Sequence, residues 1–156
     1  MPKINKPKPD TLNIHGSCVA IKGHGVLLLG TSGAGKSDIA LMLIDGGARL
    51  VTDDRTILFV KNGALYAKAP ASILGLLEIR GLGIVQMPVR RDVRIRLAVK
   101  LGKEGARLPQ PQVYRQLNCA VPQIAMDGRI ASTPARIRAA LTAIIHKRFI
   151  DTFHVK

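Results

Sequence analysis

The sequence predicts one α/β domain in which a mixed sheet, richer in strand than a simple alternating β-α-β protein, is flanked by helices. Short apolar runs at 17–22 and 26–29 are typical of buried strands. Residues 93–101 alternate apolar and mainly basic side chains, which indicates a strand with one basic, solvated face. Helical spacing of apolar residues in 38–47, and again after Thr133, predicts the helices. A chain of 156 residues can enclose a single hydrophobic core of this kind.

The first half of the chain predicts the order strand, turn, strand, loop, helix. The strand at 17–22 ends in Gly23-His24-Gly25, where glycine favours a tight turn. The strand at 26–29 leads directly into a glycine-rich loop at 30–37. The helix that follows is predicted to stop at Gly46-Gly47.

A hairpin and a second helix are indicated further along the chain. Residues 56–61 and 64–67 flank Asn62-Gly63, the dipeptide that favours a two-residue hairpin turn. Residues 104–118 are mostly polar and contain prolines, so we expect a loop there. Thr133-Pro134 suits the N-cap and the first residue of a final helix.

Charge and composition restrict the functional classes. The formal net charge is +14, from 24 Lys and Arg against 10 Asp and Glu. Such a charge suits a nucleic-acid binder, but it equally attracts an acidic protein or a phosphorylated ligand. Aromatic residues make up only 3% of the chain, too few for a base-stacking platform, which argues against nucleic acid as the main partner. No apolar run approaches the ~20 residues of a membrane span.

The chain start and the cysteines predict the setting of the domain. The first ten residues hold three prolines and three lysines, and no apolar stretch of a signal peptide follows them. We therefore expect a flexible lead-in over 1–14 and one catalytic domain over 15–156. Cys18 and Cys119 are isolated and show neither metal-site nor disulfide spacing. This predicts a reduced, cytoplasmic environment.

Residues 30–37, GTSGAGKS, fit the pattern of a phosphate-binding P-loop. Glycines let backbone N–H groups turn inward around a phosphate, and the N-terminus of the following helix adds a favourable partial charge. Lys36 is positioned to reach the β- and γ-phosphates, and the hydroxyl of Ser37 is a ligand for Mg²⁺. The strand before the loop and the helix after it are the context that this motif requires.

Three further places in the chain carry groups suited to phosphoryl transfer, although each also has an ordinary structural interpretation. Asp53-Asp54 follows a short apolar stretch, and adjacent strand residues point in opposite directions. One of the two carboxylates could therefore orient a hydroxyl and accept its proton, or both could belong to a surface turn. Glu78 and Arg80 form an ion pair or part of a site. His15 has the proton-transfer chemistry of imidazole but no sequence neighbour that proves it.

Together these pieces resemble the HPr kinase/phosphorylase family. The resemblance runs through His15-Gly16, GTSGAGKSD at 30–38, GGARLVTDD at 46–54 and LLEIRGLGIV at 76–85. It covers roughly the first 100 residues well, and the last of these stretches is the most specific. It implies a catalytic domain similar in fold to phosphoenolpyruvate carboxykinase, phosphorylation of a seryl residue of the phosphocarrier HPr, and assembly as a hexamer. Removal of that phosphate by phosphorolysis is the reverse activity of bifunctional members.

The resemblance also implies a role for individual residues. ATP would be held by Gly30, Thr31, Ser32, Gly33, Ala34, Gly35, Lys36 and Ser37. Mg²⁺ would be ligated by Ser37 and Glu78. Asp54 would take the seryl proton, and His15, Lys36, Arg80 and Arg115 would complete the catalytic set.

Several departures from the family pattern leave questions open. Only about fourteen residues precede His15, which suggests the short form with the catalytic domain alone. Asp38 stands where the family usually has Glu. The family has an Arg-Pro-Gly-Arg-like segment that is linked to dephosphorylation. The nearest match here is 127–129, Asp-Gly-Arg, which has one arginine fewer, so the sequence does not decide whether this chain also removes the phosphate. A small-molecule kinase and a nucleotide-dependent RNA-binding module, using the basic face of 93–101, are the alternatives.

Overall fold

The structure is a computed structural model that describes residues 10–150. The strands are β1 Thr11–His15, β2 Ser17–Ile21, β3 His24–Leu29, β4 Arg49–Thr52, β5 Arg55–Lys61, β6 Ala64–Lys68, β7 Leu76–Ile79, β8 Gly83–Gln86, β9 Asp92–Leu101, β10 Gln112–Gln116 and β11 Cys119–Met126. The α-helices are α1 Lys36–Asp45 and α2 Thr133–Ile145. A 3₁₀ turn spans Ala71–Ile73. Within the described range no helix has the length and apolar character needed to cross a membrane.

The long strand β9 organises a curled, mixed sheet. It pairs with β6 in antiparallel orientation near its start, and with β3 and β11 in parallel orientation along its remainder. The sheet continues from β6 through β5 to β1, and from β3 through β2 to β4. Because β3, β9 and β11 are parallel, their carboxyl ends meet at one edge, which we call the loop edge. The glycine-rich loop, Gly102 and Asp127 therefore all leave the sheet at the loop edge.

Two apolar clusters lie on the two faces of this sheet. The larger cluster includes the buried stripes of both helices, packed on β2, β3 and β9. In α1 the stripe consists of Ile39, Ala40, Leu43 and Ile44, and in α2 of Ile137, Ala140, Leu141 and Ile144. The smaller cluster lies beneath β1, β5 and β6. Burial of apolar side chains at about 25 cal/mol per Å² is the main force that holds each helix on the sheet.

Most predicted elements agree with the structure. The strands at 17–22 and 26–29, the helix after the loop, the Asn62-Gly63 hairpin and the strand over 93–101 are all present. Asn62 and Gly63 both adopt positive φ, at 51° and 73°, as a type I′ turn requires. The basic strand face is also real, since Arg94 and Lys100 are exposed while Val93, Ile95 and Leu101 are buried.

Three boundaries differ from the prediction. β1, Thr11–His15, lies inside the predicted flexible lead-in. This segment is a strand because its backbone pairs with that of β5. Residues 1–9 lie outside the described range. Part of the predicted loop over 104–118 forms β10, an edge strand with mainly exposed, polar side chains. The N-cap of α2 is Ser132, one residue before the predicted Thr133.

Candidate active site

The loop between β3 and α1 has the backbone shape that its glycines predict. Gly30 adopts φ of +150°, in the left-handed half of conformational space that favours glycine. It also passes close to the end of β9, because a Cβ atom built on Gly30 would lie 2.7 Å from the carbonyl oxygen of Leu101. Helix α1 begins at Lys36, directly after the loop, so its unpaired N–H groups face the loop. This arrangement suits an anion at the helix N-terminus.

Lys36 is a buried cation that bonds only to the loop itself. Its side chain is 7% exposed, and Nζ donates hydrogen bonds to the carbonyl oxygens of Gly30 at 2.9 Å and Thr31 at 3.0 Å. It has no ion pair with an acidic residue in the described part of the chain. Burying a charge without an opposite charge is costly, so this ammonium group favours a negatively charged ligand in the loop.

Asp53 forms the buried acidic centre of the site. Its carboxylate is 8% exposed and accepts hydrogen bonds from the hydroxyl of Ser37, at 2.9 Å and 3.1 Å, and from the hydroxyl of Ser17, at 2.8 Å. Residue 53 follows the last residue of β4, which is paired with β2, and this brings it beside Ser17 and the first turn of α1. The oxygen atoms of Ser37 and Asp53 are hard donors of the kind that Mg²⁺ prefers.

The assignment of Mg²⁺ to Ser37 and Glu78 stays a prediction, and the surroundings of Ser37 show which further oxygens are near it. Among residues 10–150 there is no group of three or more His, Cys, Asp and Glu side chains that could hold a metal ion alone. Mg²⁺ typically keeps several waters and binds through one or two protein oxygens together with substrate phosphates. The oxygen pair of Ser37 and Asp53 next to the loop therefore fits Mg²⁺ better than it fits a metal that needs a full protein cage.

Asp54 points away from Asp53 and pairs with His15. The Nε2 atom of His15 lies 2.7 Å from Oδ1 of Asp54, and the two side chains are 44% and 65% exposed. Asp54 has φ of +66°, a conformation that aspartate tolerates better than most residues. Two bonds hold it there: its N–H donates to the hydroxyl of Ser17 at 3.1 Å, and its carbonyl accepts from the N–H of Gly16 at 2.9 Å.

Strand pairing explains why His15 and Asp54 meet although 39 positions separate them. β1 and β5 are antiparallel, and His15 at the end of β1 lies opposite Arg55 at the start of β5. The hydroxyl of Thr56 reinforces this junction by donating to the carbonyl oxygen of Gly16 at 2.8 Å. Asp54 immediately precedes β5, so its side chain lies beside the imidazole.

Glu78 and Arg80 lie on the β7–β8 hairpin. Leu77 is fully buried in the cluster that contains the α1 stripe, which places β7 against that helix. Glu78 and Arg80 flank the inward-facing Ile79 and are exposed, and neither side chain forms a hydrogen bond or ion pair with another described residue. Their assigned roles as metal ligand and phosphate contact stay predictions.

The structure does not bring Arg115 to the site. Arg115 is an exposed residue of β10 and lies opposite Ala120 of β11. Ala120 is six residues before Met126, the end of β11 at the loop edge, which corresponds to about 20 Å along the strand. Arg115 therefore lies toward the end of the sheet opposite the loop edge in this chain, and its catalytic assignment stays a prediction.

Two contributors to the site were not identified from the sequence. Ser17 bonds both Asp53 and the backbone of Asp54, yet in the sequence it is only a small residue at the start of a strand. Gly128 follows β11 and approaches the loop with its backbone. Its position in Asp-Gly-Arg was visible in the sequence, but the contact depends on the parallel pairing of β11 with β9.

Comparisons with known proteins agree with this geometry. Residues 9–131 match the family described as HPr Serine kinase C-terminal domain. The HPr kinase/phosphorylase of Streptococcus thermophilus (strain CNRZ 1066) is 44% identical over 133 residues, which cover 80% of this chain and 42% of that protein. The HPr kinase/phosphorylase of Lactobacillus acidophilus is 49% identical over 76 residues, which cover 48% and 24%. The chain thus spans less than half the length of these relatives.

A solved structure is similar to most of this fold. The Hpr(Ser) kinase/phosphatase from Coxiella burnetii matches with a TM-score of 0.76 and 26% sequence identity, over 87% of this chain and 92% of that one. This similarity supports the mixed α/β architecture with a curled sheet and few helices. The family match covers far more than half of the chain. The chain therefore belongs to the family of the HPr serine kinase C-terminal domain.

Proposed function

We propose that this protein is an ATP- and Mg²⁺-dependent protein serine kinase that phosphorylates a seryl residue of HPr or an HPr-like phosphocarrier. The observation that carries the proposal is the pair of aspartates at the end of β4, with Asp53 turned inward to Ser37 and Asp54 turned outward to His15. One carboxylate is buried beside the phosphate loop, and the other is open to an incoming hydroxyl.

The nucleotide would bind through the loop residues 30–37, in a domain similar to the nucleotide-binding domain of phosphoenolpyruvate carboxykinase. The N–H groups of the loop and of the first turn of α1 would hold the phosphates. Lys36, already buried and bonded only to carbonyl oxygens, would turn its remaining N–H toward the β- and γ-phosphates. Positioning and charge stabilisation account for most of the catalysis in phosphoryl transfer, so this loop would supply a large share of it.

Ser37 would bind Mg²⁺ directly, with Glu78 as the further ligand that the family resemblance implies. Bound Mg²⁺ neutralises negative charge on the phosphate oxygens. The single hydroxyl proton of Ser37 is shared between the two carboxylate oxygens of Asp53, which fixes the orientation of that side chain. Ser17 holds Asp53 from the other side. The buried carboxylate thereby sets the ligand geometry, as outer partners of metal ligands generally do.

Asp54 would act on the substrate serine. The seryl oxygen attacks the γ-phosphorus, the bond from that phosphorus to the ADP oxygen breaks, and the seryl proton passes to the carboxylate of Asp54. The His15 pair engages Oδ1 of Asp54 and leaves Oδ2 for the incoming hydroxyl. In the phosphorolytic direction the same carboxyl group would return the proton to the serine, and Arg80 would help to hold phosphate.

The exposure of the acid–base pair supports a protein as the acceptor. His15 and Asp54 are about half exposed and lie beside the edge of the sheet, where a folded partner could present a serine. The net charge of +14 favours rapid encounter with an acidic partner. By family resemblance we further propose a homo-oligomer, a hexamer, that acts in the cytoplasm.

The test is intact-mass spectrometry of HPr after incubation with this protein, Mg²⁺ and ATP. The expected result is one added phosphoryl group, absent without Mg²⁺ and absent from an HPr whose target serine is replaced by alanine. ATP consumption with small metabolites and an unmodified HPr would favour the small-molecule kinase. Steeply salt-dependent RNA binding without phosphotransfer would favour the RNA-binding module.

A further inference from the structure

The turn that joins β11 to α2 approaches the phosphate loop with its backbone at Gly128. A Cβ atom built on Gly128 would lie 2.6 Å from the carbonyl oxygen of Ala34 and 3.7 Å from Cα of Gly35. In the reverse sense, a Cβ atom on Gly35 would lie 3.7 Å from Cα of Gly128. The two backbones are therefore in direct contact, immediately before the loop reaches Lys36.

The same turn is held firmly from the opposite side. The buried hydroxyl of Thr133, in the first turn of α2, donates a 2.7 Å hydrogen bond to the carbonyl oxygen of Asp127. The carboxylate of Asp127 accepts from the backbone N–H of Arg129 at 2.9 Å and from its guanidinium at 3.1 Å and 3.0 Å. These bonds fix the turn relative to a helix that is packed in the core.

We propose that Gly128 is a positioning residue for phosphate binding: its bare backbone is the support against which the Ala34–Gly35 step of the loop rests. A loop backed in this way presents Lys36 and its own N–H groups in one arrangement, which lowers the entropy that a phosphate ligand must remove. The inference rests on the proposed function only in taking a nucleoside triphosphate as the ligand. It assigns the glycine of Asp-Gly-Arg to ATP binding, whichever direction of transfer the enzyme favours.

Replacement by alanine isolates this contact. Gly128 is not among the glycines with positive φ, so alanine introduces no backbone strain of its own. The added methyl group instead meets a backbone oxygen, which cannot yield as the end of a flexible side chain would. The loop or the turn must move, and displacements of about 1 Å near a reacting group can reduce rates by about 100-fold.

The experiment compares Gly128→Ala with Gly105→Ala as a matched control. Gly105 leaves the same edge of the sheet and also lacks positive φ, but a Cβ atom there would make only ordinary contacts at 3.6 Å with Ala125. Affinity for a fluorescent ATP analogue is measured together with thermal unfolding. We expect Gly128→Ala to bind about tenfold more weakly, and the control to bind as the unaltered protein does.

Kinetics separate positioning from a general loss of structure. In Gly128→Ala the KM for ATP should rise about tenfold while the KM for HPr stays unchanged, since the altered contact touches only the phosphate loop. Equal nucleotide affinity in a folded Gly128→Ala variant would overturn the inference. Failure of the unaltered chain to phosphorylate HPr, with nucleotide still bound, would refute the proposed substrate and leave this comparison intact.

A measurement on the unaltered protein covers the case in which Gly128→Ala does not fold. Amide hydrogen exchange is followed with and without ATP and Mg²⁺. If the turn supports the loop, nucleotide should slow exchange both in 31–37 and at the N–H of Arg129, which lies behind the contact. Protection confined to 31–37, with unchanged exchange across the turn, would show that the two segments are independent and would overturn the inference.

Discussion

The Nε2 atom of His15 lies 2.7 Å from Oδ1 of Asp54, across the junction where β1 meets the start of β5. One carboxylate oxygen of Asp54 is thereby occupied, while its side chain as a whole is 65% exposed. Its neighbour Asp53 faces the opposite way and is buried on Ser37. The opposite directions of the two adjacent side chains thus separate the carboxylate that we propose for proton transfer from the one that we propose for positioning the metal ligand.

Asp54→Asn should abolish most phosphotransfer and leave ATP affinity unchanged. The amide keeps the size of the side chain but cannot accept the seryl proton, so the rate should fall by about 100-fold or more. Asp38→Asn is the matched control, because Asp38 is an exposed acid in the first turn of α1. Single-turnover phosphorylation of HPr and a separate ATP titration distinguish the two effects. A normal rate in Asp54→Asn would remove Asp54 from the mechanism.

His15→Gln should slow phosphotransfer by about tenfold, less than Asp54→Asn does. Glutamine can still donate a hydrogen bond to Asp54, but it fixes the carboxylate less firmly than the imidazole at the end of β1 does. The double variant tests the coupling: it should be no slower than Asp54→Asn alone, because His15 acts through Asp54. Fully additive losses would show that His15 contacts the substrate independently.

Asp53→Asn should raise the Mg²⁺ concentration needed for half-maximal activity by about tenfold. The change keeps the side-chain volume but removes a negative charge and one of the acceptors that orient Ser37. Activity is measured at saturating ATP over a Mg²⁺ series. Ser17→Ala should produce a smaller shift in the same direction, because it removes the outer bond to Asp53 and leaves the carboxylate itself in place. It also removes the acceptor of the Asp54 N–H, so its phosphotransfer rate is measured at saturating Mg²⁺ as well.

The sequence predicted those parts of the site that depend on neighbouring residues. Gly30 to Ser37 is a local motif, and Asn62-Gly63 specifies its own turn. The contact of His15 with Asp54 depends instead on the register of β1 against β5. β1 is a short edge strand, and the prolines and lysines before it led us to predict a flexible lead-in there. The position of Arg115 could not be predicted for the same reason, because residue spacing does not reveal which end of the sheet a strand residue occupies.

The two cysteines should differ sharply in reactivity toward a thiol reagent. Cys18 is fully buried in β2, and burial raises the pKa of its thiol far above the ordinary value, which suppresses the reactive thiolate. Cys119 is only partly buried. We expect one thiol to react in the folded protein at neutral pH and a second after denaturation. Cys119→Ser should eliminate the fast reaction, and a fast reaction that survives this change would place Cys18 at the surface.

His24 should make the protein less stable as the pH falls below neutrality. Burial at the start of β3 lowers the pKa of its imidazole, and the positive charges of Arg96 and His146 lower it further. The folded state therefore binds this proton less readily than the unfolded chain, in which histidine titrates near its usual pKa of about 6.5. Stability should be complete above that pH and decrease as the pH falls through it, levelling off below the lowered pKa of the folded state.

His24→Gln removes this titrating imidazole and should flatten the dependence of stability on pH. The free energy of unfolding by urea is measured for both proteins between about pH 5 and pH 8, and the difference between the two curves isolates His24 from groups that titrate equally in both. The unaltered protein should lose stability relative to the variant on acidification, by at most about 1.4 kcal/mol per pH unit for a single proton. Parallel curves would mean that His24 titrates alike in the folded and unfolded chains, and that its position at the start of β3 carries no electrostatic cost.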